Sequence, residues 1–346
     1  MTPDSHPLLS VVILNYNGRR WLNRCLESLR TQTLFSRMEV IIADNASTDG
    51  SDLLAADLLR DWPNGRFVQN GGNLGYCEGN NLGAKPARGK YLLFLNNDTW
   101  LGPDCLEVLV GEMESRAAGA GSPQILNYQD RQLQGYGRSG FDIFGYYSNQ
   151  PDAGVMADLF IAPGCAYCIR SDLFWRLGGF DREFFMYADE TDLSWRVWIA
   201  GERVITVAEA KLYHWGAGAS AAAIGNDAPK FQTSAFSRFY SNRNALLVLL
   251  KNAQHLLLLL VFTQLLSLAA EALFMWAVTR NTSLIREAYW GAILATWKLR
   301  HHVREERRRI RGLRVRSDFW MLRFLRPFPE KLHEVLRIFR QGLPRV

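Results

Sequence analysis

The sequence predicts an α/β fold with a mostly parallel sheet, followed by a helical C-terminal region. Short apolar runs alternate with helical patterns through the first part of the chain. Polar side chains follow several of these runs at the point where each predicted strand ends. Lys and Arg outnumber Asp and Glu by 17 to 6 in residues 280–346, against 23 to 28 in residues 1–279, so the basic character belongs to the C-terminal part.

Apolar runs without alternation are typical of strands that are buried on both faces of a sheet. The predicted strands are residues 8–14, 40–43, 67–69 and 90–95. Helical patterns separate them at residues 21–29, 51–61, 78–88 and 103–116. Strands that alternate with helices predict parallel pairing through right-handed crossovers.

Beyond residue 118 the pattern is harder to assign until an apolar segment at residues 158–169, which Pro163 and Gly164 interrupt. Helices are predicted at residues 171–177 and 189–200, and two short strands at residues 204–208 and 211–214. We therefore predict a catalytic domain over residues 1–230 and a helical, basic region over residues 231–346.

Cysteine usage and the N-terminus indicate a cytoplasmic protein. The five cysteines are scattered, and the Cys165 and Cys168 pair has no second pair or histidine cluster, so we predict reduced, buried thiols. Residues 1–7 are polar without Lys or Arg, which does not fit a signal peptide.

In parallel α/β sheets, ligands bind beyond the carboxyl ends of the strands. In this chain, amide and carboxylate side chains and glycines follow the carboxyl ends of the predicted strands. Glycine permits close approach of the backbone to a ligand. Asp98 follows a predicted buried strand and could ligate a divalent cation. His214 could complete the metal site that Asp98 begins. A turn at Asp98 and a core position for His214 are the structural alternatives.

Asp189, Glu190 and Asp192 form a carboxylate cluster on a predicted helix. Adjacent buried carboxylates repel, which raises at least one pKa toward the range of a general base. The alternative is a solvated helix start, because acidic residues favour the first helical turn.

The order of these motifs resembles the family 2 inverting glycosyltransferases with a GT-A fold, and their rhamnosyltransferase-like branch of bacterial surface-polysaccharide synthesis. The resemblance covers residues 8–216 and rests on the segments 11–17, 44–51, 73–81, 95–99, 163–165 and 178–196, with His214. It implies a nucleotide-diphosphate-sugar donor and Mg²⁺ or Mn²⁺. Residues implied to bind the donor are Asn15, Asn17, Asp44, Asn73, Gly75, Asn80 and Asn97, with Asp44 at the base; Asp98 and His214 would hold the metal.

Two positions depart from the family pattern. Asn96 is neutral where the metal motif often has an aspartate. The base motif is usually Glu followed by Asp, whereas this chain has Asp189 followed by Glu190. Position matching favours Glu190 as the base that deprotonates the acceptor hydroxyl, and Asp189 remains open.

The resemblance favours dTDP-rhamnose as donor, with a UDP-sugar as the other option, and a lipid-linked glycan or polysaccharide as acceptor. A sugar-nucleotide pyrophosphorylase is the enzyme alternative, although residues 15–19 supply its glycine-rich, basic loop poorly. A membrane-bound scaffold with a decayed site is the non-enzyme alternative.

Residues 256–278 contain one charge, Glu271, and are long enough to span a bilayer. A donor site and a basic tail that both face the cytoplasm argue against a single crossing. We therefore predict helices that lie on the cytoplasmic face of the membrane, against anionic lipid, helped by an apolar stripe of Leu332, Val335, Leu336 and Phe339. A soluble helical appendage or dimer surface is the alternative, and nucleic-acid binding is disfavoured.

Overall fold

The structure is a computed structural model that describes residues 6–135, 137–149, 158–216 and 234–326. The described strands are β1 (Leu9–Asn15), β2 (Met38–Asp44), β3 (Gly65–Gln69), β4 (Tyr91–Asn96), β5 (Thr99–Leu101), β6 (Ala120–Asn127), β7 (Leu133–Gly135), β8 (Arg138–Phe141), β9 (Tyr147–Asn149), β10 (Ala166–Arg170) and β11 (Val204–His214). The predicted apolar stripe at residues 332–339 lies outside the described residues.

The described α-helices are α1 (Arg19–Arg30), α2 (Ser51–Leu59), α3 (Gly75–Ala84), α4 (Cys105–Ser115), α5 (Ser171–Arg176), α6 (Asp189–Ile199), α7 (Ala235–Asn252), α8 (Leu259–Thr279), α9 (Thr282–Leu284), α10 (Gly291–Lys298), α11 (Arg300–Leu313) and α12 (Asp318–Met321). A π-helical segment, Ile285–Trp290, joins α9 to α10. The four helices predicted between the N-terminal strands are all present as α1–α4.

The main sheet has the order β3-β2-β1-β4-β10-β6-β11-β5, and β7 pairs with β6. The first four strands are parallel, as predicted. In the other half β6 and β11 are also parallel, but the prediction is wrong for β10, which runs antiparallel to both β4 and β6, and for β5, which runs antiparallel to β11. A parallel neighbour requires a crossover, and the described residues between β6 and β10 contain no helix to provide one.

Two strand predictions differ in extent. The predicted strands at residues 204–208 and 211–214 are one strand, β11, with an irregularity between Val207 and Lys211. The predicted strand at residues 158–169 is reduced to β10, which begins only at Ala166, preceded by isolated bridges. Pro163 lacks the N–H that a central strand requires, which accounts for the late start.

The core lies on both faces of the sheet. Val12 of β1 packs into the cluster under α3 and α6, whereas its neighbours Val11 and Ile13 pack into the cluster under α1 and α4. Both faces of β1 are therefore apolar, which explains the continuous run in the sequence.

The helices after residue 234 belong to the same core as the sheet. Leu247 and Val248 of α7 and Val303 and Ile310 of α11 are buried in the cluster that contains Leu193 of α6. The boundary predicted at residue 230 therefore separates two parts of the chain that share one core.

A buried ion network fixes α7 against α6. Lys251 has no exposed surface and contacts the carboxylates of Asp181 and Asp192, the second at 3.1 Å. Asp192 Oδ2 also forms a salt bridge with Arg196 Nη2 at 2.7 Å. His302 Nε2 lies 2.8 Å from Asp181 Oδ2. Burial raises the pKa of both carboxyls, but the adjacent cations outweigh it and hold each pKa below its usual range.

Helix α8 is, within the described ranges, the one helix long and apolar enough to cross a membrane. One face of it packs on the protein, where Leu260, Gln264 and Leu268 are buried. Thr263 Oγ1 donates to the Ile143 carbonyl at 2.7 Å. Its single charge, Glu271, accepts from Arg238 of α7 at 2.8 Å. The helix therefore contacts the rest of the protein along its length.

Lys251→Met is expected to lower the free energy of unfolding by about 3 kcal/mol, because it leaves two buried carboxylates with fewer cations. Urea unfolding followed by circular dichroism measures the change. Lys85→Met, at an exposed position, is the control and should stay within about 0.5 kcal/mol of the parent. Equal stability of the two variants would contradict the structural role of the network.

Candidate active site

Asp98 and His214 meet because two strands pair. Asp98 lies in the tight turn between β4 and β5, and His214 is the last residue of β11. Antiparallel pairing of β5 with β11 places His214 opposite Thr99, one residue after Asp98. His214 Nε2 is 3.3 Å from Asp98 Oδ1, so the pair predicted from the sequence is brought together.

The two side chains fit a divalent metal. His214 Nδ1 lies 2.8 Å from Gln134 Oε1, which orients the ring. Its buried Nε2 faces Asp98 Oδ1 and makes no hydrogen bond among the residues that the structure describes. A metal-binding histidine uses one nitrogen for the metal and the other for such a partner. In the described part of the chain no three or more His, Cys, Asp or Glu side chains are grouped so that they could hold a metal ion, so protein atoms would supply few ligands. Oxygens of a diphosphate could supply others, as is usual for Mg²⁺.

Asn15 connects the ends of three parallel strands. Its amide donates to Asp44 Oδ1 of β2 at 2.7 Å and to Ser51 Oγ at 2.9 Å, and its Oδ1 accepts from Asn97 beyond β4 at 3.1 Å. Asp44 is fully buried and also accepts from Ser47 and from Gln69. In this structure Asp44 organises the strand ends, and its contact with a donor base stays a prediction.

Asn17 is exposed at the edge of this network. Its backbone has a positive φ of 52°, and its Oδ1 accepts from the Thr48 N–H at 2.8 Å. Its backbone N–H donates to Ser47 Oγ at 2.9 Å. Asn17 thereby fixes the turn after β2 from the outside, in an open position that a ligand can reach.

The turn before α3 is shaped by Asn73 and Gly75. Asn73 Oδ1 accepts from the Gly75 N–H at 3.1 Å. Gly75 has φ of 75°, and a Cβ there would lie 2.4 Å from the Phe185 carbonyl oxygen, so only glycine fits. Asn80 is buried within α3 and donates to the Tyr76 carbonyl, so direct contact with a nucleotide stays a prediction.

Asp189 and Glu190 are the first two residues of α6. Burial raises the pKa of Asp189 well above its usual value, and the Glu190 charge raises it further. Burial also raises the pKa of Glu190, against the opposing charge of Arg138. The third carboxylate of the cluster, Asp192, belongs instead to the ion network with Lys251.

The turn at Gly164 and Cys165 joins the two halves of the site. A Cβ on Gly164 would be 3.6 Å from Glu190 Oε2, and the Cys165 carbonyl accepts from Asn96 N–H at 2.9 Å. Burial raises the pKa of the Cys165 thiol, and the charges of both Asp98 and Glu190 raise it further. Asp98 and Glu190 therefore both lie near this turn.

Several site residues carry no signal in the sequence. Gln134 orients His214 from β7, and Tyr76 OH donates to the Gly164 carbonyl at 2.8 Å. Arg138 of β8 acts on the pKa of Glu190. Gln134 and Arg138 lie outside the motif segments and meet them only through strand pairing and packing, whereas Tyr76 lies within segment 73–81 and its partner Gly164 is remote along the chain.

Comparison with known proteins points to one family for this chain. The profile of "Glycosyl transferase family 2" matches residues 10–178, which contain β1–β4 and Asp98. The computed structure resembles the crystal structure of GalNAc-T7 with UDP, GalNAc and Mn²⁺, with a TM-score of 0.66 and 14% identity, over 98% of this chain and 59% of that one. This likeness shows the shared GT-A-like fold.

Two relatives with known names are similar to this chain in sequence. The protein EpsH of Bacillus subtilis (strain 168) is 30% identical over 156 residues, which are 44% of this chain and 43% of EpsH. The N-acetylglucosaminyl-diphospho-decaprenol L-rhamnosyltransferase of Mycobacterium tuberculosis (strain ATCC 25618 / H37Rv) is 29% identical over 237 residues, 60% of this chain and 76% of the relative. The chain thus spans less than half of the length of EpsH. The profile match over residues 10–178, these relatives and the fold together support glycosyl transferase family 2 as the family of this chain.

Proposed function

We propose that the protein is an inverting glycosyltransferase that moves a sugar from a nucleotide-diphosphate donor to a hydroxyl of a lipid-linked glycan. The observation that carries the proposal is the turn at Gly164 and Cys165, which lies close to both Asp98 and Glu190. A donor diphosphate near Asp98 and an acceptor near Glu190 would then meet at this turn.

The donor is proposed as dTDP-rhamnose, with a UDP-sugar as the other candidate. The mycobacterial relative is named as an L-rhamnosyltransferase that acts on a diphospho-decaprenol lipid, which supports both rhamnose and a lipid-linked acceptor. The GalNAc-T7 structure holds UDP and Mn²⁺, which supports a nucleotide donor with a divalent metal.

The proposal assigns metal binding and proton transfer to different residues. Asp98 and His214 would hold Mg²⁺ or Mn²⁺, which supplies positive charge to the departing diphosphate. Glu190, with Asp189 as the alternative, would accept the proton of the acceptor hydroxyl. Attack from the side opposite the diphosphate inverts the anomeric centre in one displacement.

We also propose that the enzyme acts on the cytoplasmic face of the membrane. The side of α8 that faces away from the protein exposes Phe262, Leu266 and Leu273, and the following helices expose Trp290 and Trp297. Exposed arginines and a lysine border these side chains: Arg280, Arg286, Lys298 and Arg300. Exposed tryptophan and leucine beside basic residues suit the interface of an anionic bilayer.

Calorimetric titration with nucleoside diphosphates tests the donor site. dTDP or UDP should bind in the presence of Mn²⁺ or Mg²⁺, and Asp98→Asn should weaken the metal-dependent binding at least about tenfold, because one metal ligand loses its charge. Asp104→Asn, at an exposed position six residues later, is the control. No binding by the folded parent protein would favour a decayed scaffold, and equal binding with a chelator present would overturn the metal role.

Sugar transfer should decline as the pH falls through the raised pKa of the carboxyl pair, above the usual carboxyl range near pH 4, because the base must be ionised. Glu190→Gln should reduce kcat by about 10²- to 10⁴-fold. Asp189→Asn should retain more activity and move the acidic limb to lower pH, since it removes a neighbouring negative charge.

The control for both variants is Glu209→Gln, an exposed carboxylate on β11. Activity retained by Glu190→Gln and lost in Asp189→Asn would reassign the base to Asp189.

Vesicle flotation tests membrane association. The full chain should float with vesicles that contain phosphatidylglycerol, less with neutral phosphatidylcholine, and less at high salt. The double variant Trp290→Ser with Trp297→Ser should float at least about fivefold less, whereas Trp175→Ser, an exposed tryptophan on α5, should not change. Equal flotation of all three proteins would contradict the proposed surface.

A further inference from the structure

We propose that Asn244 of α7 is a positioning residue that acts through one strained loop. The loop holds two parts of the site in place: the candidate base and the turn at residues 73–75 before α3, which we call the donor turn. The inference rests on the proposed function, because it concerns the base of that same reaction. The loop is residues 184–188, from the last residue of the 3₁₀-helix Arg182–Phe184 to the residue before α6. Asn244 lies beyond the segment that matches the family profile, which ends at residue 178.

The loop has an unusual concentration of backbone strain. Phe185, Tyr187 and Ala188 all have positive φ, at 62°, 68° and 58°. Phe185, with ψ of −62°, is the centre of a γ-turn in which the Met186 N–H donates to the Phe184 carbonyl at 2.7 Å. Such conformations cost about 1–3 kcal/mol each for residues other than glycine, so surrounding contacts must hold them.

Asn244 supplies those contacts. Its buried amide nitrogen lies 2.9, 2.7 and 2.8 Å from the carbonyl oxygens of Phe184, Met186 and Tyr187. Its Oδ1 accepts from Arg243 Nε at 2.9 Å, which fixes the orientation of the amide. One side chain therefore gathers three carbonyls of the strained loop.

The loop in turn sets both sides of the candidate site. Ala188 directly precedes Asp189 and Glu190, so its left-handed backbone determines the direction in which α6 begins. The Phe185 carbonyl accepts from the Tyr76 N–H at 2.6 Å, at the start of α3 after the donor turn. A shift of the loop would move the candidate base and the donor turn together.

Asn244→Ala is expected to lower kcat by roughly 100-fold, because displacement of a catalytic group by about 1 Å has effects of that size. KM for the donor should rise as well, since the turn at Gly75 loses its support. The matched control is Asn242→Ala on the same helix, whose amide donates to the Ala288 carbonyl and not to the loop. Its kcat should stay within about twofold of the parent value.

A rescue experiment separates positioning from a general loss of structure. Ala188→Gly removes the cost of a left-handed backbone, so in the Asn244→Ala protein it should restore kcat by about fivefold or more. Asn244→Ser keeps one hydroxyl donor and provides a milder background for the same rescue if the alanine variant does not fold. An unchanged kcat in Asn244→Ala, or no recovery from Ala188→Gly, would overturn the inference.

Hydrogen exchange of the substrate-free protein keeps the two hypotheses distinguishable. Amides of residues 183–190 should exchange faster in Asn244→Ala than in the parent or in Asn242→Ala. If the parent protein transfers no sugar while this difference in exchange is present, the proposed function fails and the loop contact stands. If the parent is active and exchange is the same in all three proteins, the role of Asn244 fails.

Discussion

The pairing of buried charge between α6 and α7 is the constraint on which the rest of this structure depends. Lys251 has no exposed surface, and carboxylates that it contacts are themselves buried. Charges removed from water must be paired with good geometry, so the contact between Asp192 of α6 and Lys251 of α7 restrains how the two helices pack. Because α6 also begins with Asp189 and Glu190, the network that orients this helix orients the candidate base.

The candidate site is assembled from both ends of the chain. The parallel strands bring Asn15, Asp44 and Asn97 to one edge of the sheet, and the antiparallel pair β5 and β11 adds Asp98 and His214. Hydrogen bonds join Asn15 to Asp44 and Asn97 at this edge, which restrains these side chains before a ligand binds. The C-terminal helix α7 supports the site indirectly, because Asn244 donates a hydrogen bond to the loop that precedes α6.

Helices α7 and α8 give the C-terminal region two different surfaces. On one side α7 shares the core of the catalytic domain and contacts the strained loop. On the other side α8 buries Leu268 and leaves Phe262, Leu266 and Leu273 exposed. This exposed apolar face, on a helix that is itself packed on the protein, is the feature on which the proposed membrane contact rests.

The sequence by itself determined the parallel strands β1 to β4, the helices that follow them and the pairing of Asp98 with His214, because burial on both faces and polar strand ends leave local patterns. Only the tertiary structure decided the antiparallel placement of β10 and β5, the separation of Asp192 from the candidate base, and the burial of Asp44. It also decided that Gln134 and Asn244 support the site. These features arise from contacts between residues far apart in the chain, which periodicity and motif spacing do not record.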